Sequence, residues 1–339
     1  MDFASDNHAG VHPVVLNSIV ECNEGYENSY GADSYSIKAR SICKSIFGND
    51  AELFQVFSGT SANILALEPL LDRYGAVLCS SDAHLVMDET GAPERILGNK
   101  LYPLQSVNGK ITPESIEALI PHFEDEHKPV PQVLSITQAT EYGTLYTIAE
   151  LETLRETAEK HNLKVHVDGA RYHNASAALN CELNTIVEAI GAASLSFGMN
   201  KNGGMFGENV IIFNKSLAEN FLHRRKNMMQ LNSKMRYSAA QFIAFYEDNL
   251  WKECADHSNN MAKLLHELIS DINSIEITYP IETNAVFAKV PERIIEPLQD
   301  FAPFYVWRTG TNEVRWMTSW QTTEEEVRAF ANKIKELLN

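Results

Sequence analysis

The sequence contains no long apolar segment. No run of apolar residues reaches the roughly 18 that a membrane-spanning helix needs, which argues against a transmembrane protein. The opening residues Met1-Asp2-Phe3-Ala4-Ser5-Asp6 also lack the basic and apolar regions of a signal peptide. We therefore expect a mature cytoplasmic protein without a membrane partner.

Cysteine is scarce, and basic residues are outnumbered. The five cysteines are odd in number and never spaced C-x-x-C, which argues against a disulfide framework and predicts no metal site. With 28 Lys and Arg against 45 Asp and Glu, the formal net charge is −17. Such a surface repels nucleic acid, so any anionic substrate requires a local positive pocket.

Apolar strand-like segments and helical segments alternate through most of the 339 residues. This alternation predicts an α/β fold with a mostly parallel sheet sandwiched by helices. After residue 275, short strands and helices predict a smaller α+β domain, and the polar first thirty residues predict an extended arm. The predicted strands of the large sheet are 53–57, 76–79, 100–104, 133–137, 163–167, 192–197 and 210–213.

One lysine lies among four glycines in the segment Gly198-Met199-Asn200-Lys201-Asn202-Gly203-Gly204-Met205-Phe206-Gly207. Strand interiors disfavour glycine, so the cluster indicates a sharp bend or a close backbone approach. An amine held at such a turn can lose solvation, lower its pKa and attack a carbonyl. The alternative is a glycine-rich hairpin with an exposed lysine.

Several other candidate residues follow predicted strands. Ser58-Gly59-Thr60 joins a strand to a helix, which predicts either a phosphate site or an ordinary capped helix start. His84, Asp168 and Lys201 all lie at or just beyond strand ends. Because parallel sheets bind ligands at the carboxyl ends of their strands, we expect these three to converge, although a lone histidine can equally be structural.

Positive charge is concentrated at a few positions. Arg315 lies on a predicted strand among apolar residues, so it either binds a carboxylate ligand or faces outward. The basic clusters at 223–226 and 234–236 fit an anion site, a subunit contact or a solvated helix face.

The order of these features along the chain resembles that in the fold-type I enzymes that use pyridoxal 5′-phosphate (PLP). The motifs themselves resemble those of the low-specificity branch of the L-threonine aldolase family. Asn200 stands where the family would have a threonine before the lysine. Met205-Phe206-Gly207 retains only part of the glycine-rich segment expected after the lysine. We expect these departures to affect rate or side-chain preference more than cofactor binding. The matching phrases span nearly the whole chain: Ser5-Asp6-Asn7, Tyr30-Gly31, 58–63, His84, Asp88-Glu89, Gly91-Ala92, 166–171, Asn174-Ala175, Lys201-Asn202-Gly203, Arg315 and Thr318-Ser319-Trp320.

The resemblance implies a role for each matched residue. Lys201 would form the Schiff base with PLP, and Asp168 would keep the pyridine nitrogen protonated. His84 would stack on the ring and help remove the β-hydroxyl proton, directly or through a water. The remaining cofactor contacts would be Ser58, Gly59, Thr60 and Arg171. The substrate contacts would be Ser5, Asn7, Tyr30, Asp88, His127, Arg171 and Arg315, with the two arginines on the carboxylate.

The resemblance also implies an organisation for the chain. An arm at 1–15 would precede a large PLP-binding domain at 16–244 and a small domain at 245–339. The assembly would be a homotetramer, a dimer of dimers with active sites at subunit interfaces. Tyr30 would reach in from a neighbouring subunit, and Arg236 or Lys234 would complete the phosphate site across that interface.

The implied reaction is cleavage of L-threonine or L-allo-threonine to glycine and an aldehyde. One alternative keeps the cofactor and changes the chemistry to β-elimination or transamination of another amino acid. A further alternative is a non-catalytic regulator with the same fold, against which the intact set of Lys201, Asp168 and Arg315 argues.

Overall fold

Alternating strands and helices between residues 52 and 212 build one large sheet, as the sequence pattern predicts. The computed structural model describes residues 1–123, 125–308 and 310–338. The strands of the large sheet are β1 (Glu52–Val56), β2 (Gly75–Ser80), β3 (Lys100–Leu104), β4 (Val130–Thr137), β5 (Lys164–Gly169), β6 (Ala192–Phe197) and β7 (Glu208–Ile212). A second sheet holds β8 (Glu276–Ile277), β9 (Ala285–Lys289), β10 (Tyr305–Val306) and β11 (Glu313–Met317).

The helices cover these sheets or lie between their strands. They are α1 (Pro13–Glu21), α2 (Ser34–Phe47), α3 (Gly59–Leu67), α4 (His84–Met87), α5 (Ala92–Leu97), α6 (Pro113–Leu119), α7 (Ile148–Lys160), α8 (Tyr172–Ala178), α9 (Leu183–Ile190), α10 (Phe221–Asn227), α11 (Arg236–Tyr246), α12 (Leu250–Ile269), α13 (Ile295–Phe301) and α14 (Glu324–Leu338). Among the described residues, no helix is both long and apolar enough to cross a membrane.

The large sheet has the strand order β1-β7-β6-β5-β4-β2-β3. The neighbours from β6 to β3 run parallel, whereas β7 runs antiparallel to both β6 and β1. Residues 198–207 between β6 and β7 are too few for the crossover of a dozen or more residues that a parallel pair needs. The glycine-rich segment is therefore a hairpin connection, and it carries Lys201.

The large sheet is buried on both faces, which explains why its strands read as continuous apolar runs. On β2, for example, Val77 and Cys79 pack into one apolar cluster while Leu78 packs into another on the opposite face. The predicted α/β sandwich is therefore confirmed, and its parallel strand ends lie along one edge of the sheet.

The second sheet has the order β10-β11-β9-β8 and is antiparallel throughout. Its core contains Trp316 of β11, Phe330 of α14 and the C-terminal half of α12. Phe3 joins this core, because its ring stacks on Phe330 with centroids 4.3 Å apart. Backbone hydrogen bonds of 2.9 Å from Phe3 to Pro303 and from Met317 to Phe3 fix the start of the chain there.

The prediction of an irregular arm over the first thirty residues is wrong in part, because Pro13–Glu21 forms α1. His12 caps this helix and Pro13 opens it, which is a standard start signal. The sequence pattern does not predict this helix, because three of its apolar residues, Val14, Leu16 and Val20, face outward. The predicted domain boundaries stay predictions, and α12 contributes side chains to both cores.

Candidate active site

An inner cavity of about 260 Å³ lies at the carboxyl ends of the parallel strands. Thr137 of β4, Asp168 of β5 and Ser196 of β6 are neighbours in the sheet register, and all three line this cavity. His84 and Lys201 line it as well. The three residues expected to converge, His84, Asp168 and Lys201, are therefore brought together.

Lys201 lies in a short 3-10 turn, Asn200–Asn202, that follows β6. Burial lowers the pKa of its amine, and the Arg171 guanidinium lowers it further. The preceding Gly198 permits this position, since a Cβ there would lie 2.7 Å from the carbonyl oxygen of Ala170. Gly203 ends the turn with φ +107°, a conformation that favours glycine. The glycines therefore serve both a close approach and a sharp bend.

Glu208, the first residue of β7, stabilises the same turn. Its carboxylate accepts a hydrogen bond from the backbone N–H of Met199, two residues before Lys201, and it lines the inner cavity. Burial raises the pKa of Glu208 to about 7. A carboxyl group that titrates near neutrality therefore supports the backbone that positions the lysine.

Asp168 is only 3% exposed, and both of its carboxylate oxygens accept hydrogen bonds. One oxygen accepts from Asn63 Nδ2 at 3.0 Å, and the other accepts from the backbone N–H of Ala170 at 3.1 Å. The Asn63 amide also donates to Glu89 Oε1 at 2.8 Å. Asn63 thus links the carboxylate of Asp168 to the histidine on the other side of the cavity.

His84 begins α4, a few residues after β2 ends. Its Nδ1 lies 2.9 Å from Glu89 Oε1, and this hydrogen bond raises the pKa of the imidazole. The buried Glu89 carboxylate therefore fixes the orientation of the ring, with Nδ1 carrying a proton that it donates to Glu89.

The N-terminus of α3 forms a cradle of backbone donors at the cavity wall. Ser58 caps this helix, because its Oγ accepts from the N–H of Ser61. Among the described residues, the N–H groups of Gly59 and Thr60 have no acceptor. Free donors at the start of a nine-residue helix form a site for an anion such as phosphate. The Ser58 hydroxyl is already engaged, so it is the weaker donor of the three.

An outer cavity of about 580 Å³ adjoins the inner one. The two share Asn7, His84, Glu141, Arg171 and Lys201. The outer cavity adds residues from the N-terminal segment, from the segments that follow β2 and β4, and from the C-terminal region around β10 and β11: Ser5, Asp82, Met87, Asp88, Tyr142, Tyr305, Trp307, Arg308 and Arg315.

Arg171 is engaged by a partner that the sequence did not suggest. Its Nε and Nη2 donate to the two carboxylate oxygens of Asp6 at 2.7 and 2.9 Å, and both side chains are buried. Burial opposes ionisation of Asp6, but Arg171 outweighs it and lowers the pKa of Asp6. The guanidinium is therefore locked in one orientation at the wall of both cavities.

Arg315 of β11 is less fully engaged. Its Nη2 donates to the carbonyl oxygen of Ala4 at 2.9 Å, while its buried Nε has no partner among the described residues. Its guanidinium lies over the Trp307 ring, 4.7 Å from the centroid. Burial and the nearby Arg171 lower the pKa of Arg315 to about 10. A guanidinium with spare donors beside an aromatic wall is suited to bind a carboxylate.

The sequence profile of the beta-eliminating lyase family matches residues 2–293. A low-specificity L-threonine aldolase of Pseudomonas aeruginosa is 40% identical over 334 residues, covering 98% of this chain and 96% of the relative. The chain belongs to the L-threonine aldolase family. A second such aldolase, from a Pseudomonas species, is 39% identical over 99% of this chain and 98% of its own length.

A solved structure agrees with the family assignment. The threonine aldolase of Leishmania major has a TM-score of 0.94 and 30% identity, with 100% of this chain and 99% of that chain covered. The resemblance and the fold-type I prediction are therefore confirmed, as is the prediction of a PLP-dependent lyase.

The residues of this chain fit the cofactor of the L-threonine aldolase family. Lys201 supplies an amine with a lowered pKa, and Asp168 supplies a fixed carboxylate in the same cavity. The free N–H groups of Gly59 and Thr60 supply the anion cradle in that cavity. The site therefore has a group for each of three parts of PLP: aldehyde, pyridine nitrogen and phosphate.

Some predicted site residues lie elsewhere in this single chain. Tyr30 is 53% exposed and lines a separate groove beside Arg40 and Arg225. His127 is exposed in the turn before β4 and lines neither cavity. Arg236 donates to backbone carbonyls near residue 25, away from both cavities. Their predicted roles stay predictions.

Five residues of the site received no role in the sequence analysis: Asp6, Asn63, Glu89, Glu141 and Glu208. Three of them lay inside quoted motifs, since Asp6, Asn63 and Glu89 belong to phrases shared with the family. Glu141 follows β4 just as the other site residues follow their strands, so the strand-end argument applied equally to it. Only Glu208, at the start of a strand, was indicated neither by a motif nor by a position after a strand.

Proposed function

We propose that this chain is a PLP-dependent aldolase that cleaves L-threonine, L-allo-threonine and related β-hydroxy-α-amino acids to glycine and an aldehyde. The observation that carries the proposal is that Lys201 and Asp168 line one cavity, with an arginine-lined cavity directly beside it. The identity to low-specificity L-threonine aldolases over nearly the full length supports the substrate class.

When bound, PLP supplies a ring that takes up the electron pair of a breaking bond at the α-carbon. Lys201 would hold the cofactor through its amine, which its lowered pKa keeps reactive. Asp168 would hold the pyridine nitrogen in its protonated form, because an adjacent carboxylate favours the charged state. Gly59 and Thr60, with Ser58, would bind the phosphate, and His84 would cover the ring face.

The outer cavity would hold the amino acid. Arg315 would bind the carboxylate directly, and Arg171, oriented by Asp6, would complete the positive wall. Ser5 and Asn7 line the same cavity and would add polar contacts. This anchoring decides which bond at the α-carbon stands perpendicular to the ring, and a misplacement of about 1 Å at such a clamp can cost on the order of a hundredfold in rate.

The β-hydroxyl end of the substrate would face His84. Directly or through a water, His84 would assist removal of the hydroxyl proton. Asp88 lines the outer cavity at an exposed position and would set the fit of the substrate side chain. The family resemblance suggests the same supporting role for His127.

The assembly proposed is a homotetramer, a dimer of dimers. Exposed apolar side chains support association, including Val14 and Val20 on α1 and Leu222 on α10. Tyr30 would then reach a neighbouring subunit's site, where Arg236 or Lys234 would add positive charge near the phosphate. The five free cysteines support a cytoplasmic location.

The test is product analysis of the PLP-loaded protein with L-threonine. Glycine and acetaldehyde in equal amounts are expected, whereas pyruvate with ammonia would indicate β-elimination. Lys201→Ala should abolish turnover, because Lys201 is the one lysine among the described residues that line the inner cavity. Lys215→Ala, an exposed lysine at 59% that pairs with Asp50, is the matched control and should retain turnover. Near wild-type cleavage by Lys201→Ala would refute the assignment.

A further inference from the structure

We propose that Glu141 is the group that accepts the β-hydroxyl proton of the substrate. This inference rests on the proposed aldolase function and deepens it by naming the proton acceptor. It arises from the position of Glu141 between the two cavities and from the lack of a partner for its carboxylate within the described part of the chain.

Glu141 lies where the cofactor and substrate spaces meet. It belongs to the loop after β4 and lines both cavities, as do His84, Arg171 and Lys201. The loop is fixed on either side of Glu141. The Thr140 backbone N–H donates to the Thr144 carbonyl oxygen at 3.0 Å, and the hydroxyl oxygens of the two threonines lie 2.7 Å apart. The Tyr142 hydroxyl donates to Asp82 Oδ1 at 2.7 Å. A carboxyl group on a fixed loop is suited to act at one atom of a bound substrate.

The buried carboxylates of the site are all engaged. Asp6 holds Arg171, and Glu89 holds His84. Asp168 and Glu208 accept hydrogen bonds from amide groups of the protein. Glu141 is half-buried at the cavity wall, and among the described residues its carboxylate has neither a hydrogen-bond partner nor an ion-pair partner. It is therefore the carboxyl group of the inner cavity that is free to exchange a proton with a ligand.

Two further carboxylates, Asp82 and Asp88, line the outer cavity. Asp82 accepts hydrogen bonds from the Tyr142 and Ser106 hydroxyls, so it is engaged. Asp88 differs from Glu141 in two ways. Asp88 is exposed to solvent, and it does not line the inner cavity. The bond that breaks joins the α-carbon to the β-carbon, so the proton acceptor must lie near the cofactor. Glu141 meets this condition, and Asp88 does not.

The charges that face Glu141 come from four neighbouring elements. They are His84 on α4, Asp168 and Arg171 around the end of β5, Lys201 in the turn after β6 and Arg315 on β11. Burial raises the pKa of Glu141, and Asp168 raises it further, while the cations oppose the shift. A raised pKa makes a carboxylate a stronger base at neutral pH, which is the adjustment expected of a general base.

His84 and Glu141 would then have different roles at the β-hydroxyl group. The Nδ1 of His84 is bound to Glu89, and its raised pKa favours the imidazolium form, which donates and does not accept. His84 would orient the hydroxyl group from one side while Glu141 receives the proton from the other.

The step balances without an additional reactant. The O–H bond breaks, its proton passes to a Glu141 oxygen, and its electron pair becomes the second bond of the aldehyde carbonyl. The electron pair of the Cα–Cβ bond stays with the glycine fragment. Protonation of that fragment at the α-carbon, by the same proton or one from solvent, completes glycine.

The experiment compares Glu141→Gln with Glu141→Asp in the PLP-loaded protein. Gln keeps the size and polarity but cannot take the proton, so kcat for L-threonine should fall about 10²–10⁴-fold. The acidic limb of the wild-type pH profile of kcat should disappear in Glu141→Gln. Glu141→Asp, which keeps the carboxyl group, should retain that limb and part of the rate. The control Glu159→Gln, at an exposed carboxylate on α7 that pairs with Arg155, should retain both the limb and the rate.

A second measurement separates proton transfer from a structural effect. Glycine has no β-hydroxyl, so the absorbance change on adding glycine and the exchange of its α-proton with solvent should stay within about threefold of wild type in Glu141→Gln. Parallel loss of glycine binding and exchange would overturn the inference, as would a kcat and pH profile like those of wild type. Failure of the wild-type protein to cleave L-threonine would instead refute the proposed function.

Discussion

The two cavities that meet at Lys201 are built in different ways. The inner cavity is formed by adjacent strand ends of one sheet, where Thr137, Asp168 and Ser196 are register neighbours. The outer cavity joins segments that are remote in sequence: Arg171 and Asp6 are 165 residues apart, and Arg315 and Ala4 are 311 apart. The inner cavity therefore depends on local backbone geometry, and the outer cavity depends on buried ionic contacts of the N-terminal segment.

The largest loss of stability is expected from breaking the outer cavity at Asp6. Asp6→Asn leaves the buried Arg171 charge without its counter-ion, which should lower the free energy of unfolding by about 3–5 kcal/mol. Because the folded pKa of Asp6 is lowered, its contribution is present above the unfolded pKa and is lost as pH falls through the folded value. The difference from wild type, measured by urea unfolding, should therefore shrink below about pH 4.

Asp2→Asn is the control for that comparison. Asp2 pairs with His8 at 3.0 Å, but both side chains are more than one-third exposed. An exposed pair contributes at most about 1 kcal/mol, so Asp2→Asn should stay within that limit. Equal effects of the two substitutions would contradict the special role of the buried pair.

A smaller, pH-dependent effect is expected in the inner cavity at Glu208. Its folded pKa is raised from 4.5 to about 7, so the ionised form is disfavoured in the folded protein. Wild type should lose stability as pH rises from about 4.5 to about 7, and Glu208→Gln should not. The unfolding free energy of the variant relative to wild type should thus rise by about 2.5 kcal/mol between pH 5 and pH 8.

Urea unfolding at several pH values measures this difference. Glu159→Gln is the control, since Glu159 is an exposed carboxylate on α7 that pairs with Arg155. It should change stability by less than about 0.5 kcal/mol at each pH. A Glu208→Gln curve parallel to that of wild type would show that Glu208 is not the titrating group.

The smallest effect is expected from overpacking the inner cavity at Gly198. A Cβ at this position would meet the Ala170 carbonyl oxygen at 2.7 Å, so Gly198→Ala should cost about 1–3 kcal/mol. Gly59→Ala is the matched control, because a Cβ there meets nothing within 4 Å. Thermal unfolding of the cofactor-free variants should show a lower Tm for Gly198→Ala alone, and a similar drop in both would contradict the close-approach account.

The inner cavity could be predicted from the sequence because its residues follow a local rule. Strand ends, the glycine cluster and the Ser58-Gly59-Thr60 turn each carry a signature within a few residues of the site. The convergence of His84, Asp168 and Lys201 then follows from the parallel order of β2, β5 and β6.

The outer cavity could not be predicted in the same way. Nothing near Asp6 or Arg171 in sequence indicates that the two form an ion pair, since long-range pairing leaves no periodic pattern. Helix α1 could not be predicted for a related reason. Several of its apolar residues face outward, so the segment lacks the pattern of a helix with one apolar face packed on the core. The apolar strand context indicated Arg315 as a candidate and the family resemblance added Arg171, but their contacts with Ala4 and Asp6 are visible only in the structure.

The antiparallel placement of β7 ties the lysine turn to the large sheet at both ends. Since β6 and β7 are paired in that sheet, forming the pair also sets the position of the Lys201 amine. A change that separates the two strands would therefore also displace this amine from the Asp168 carboxylate.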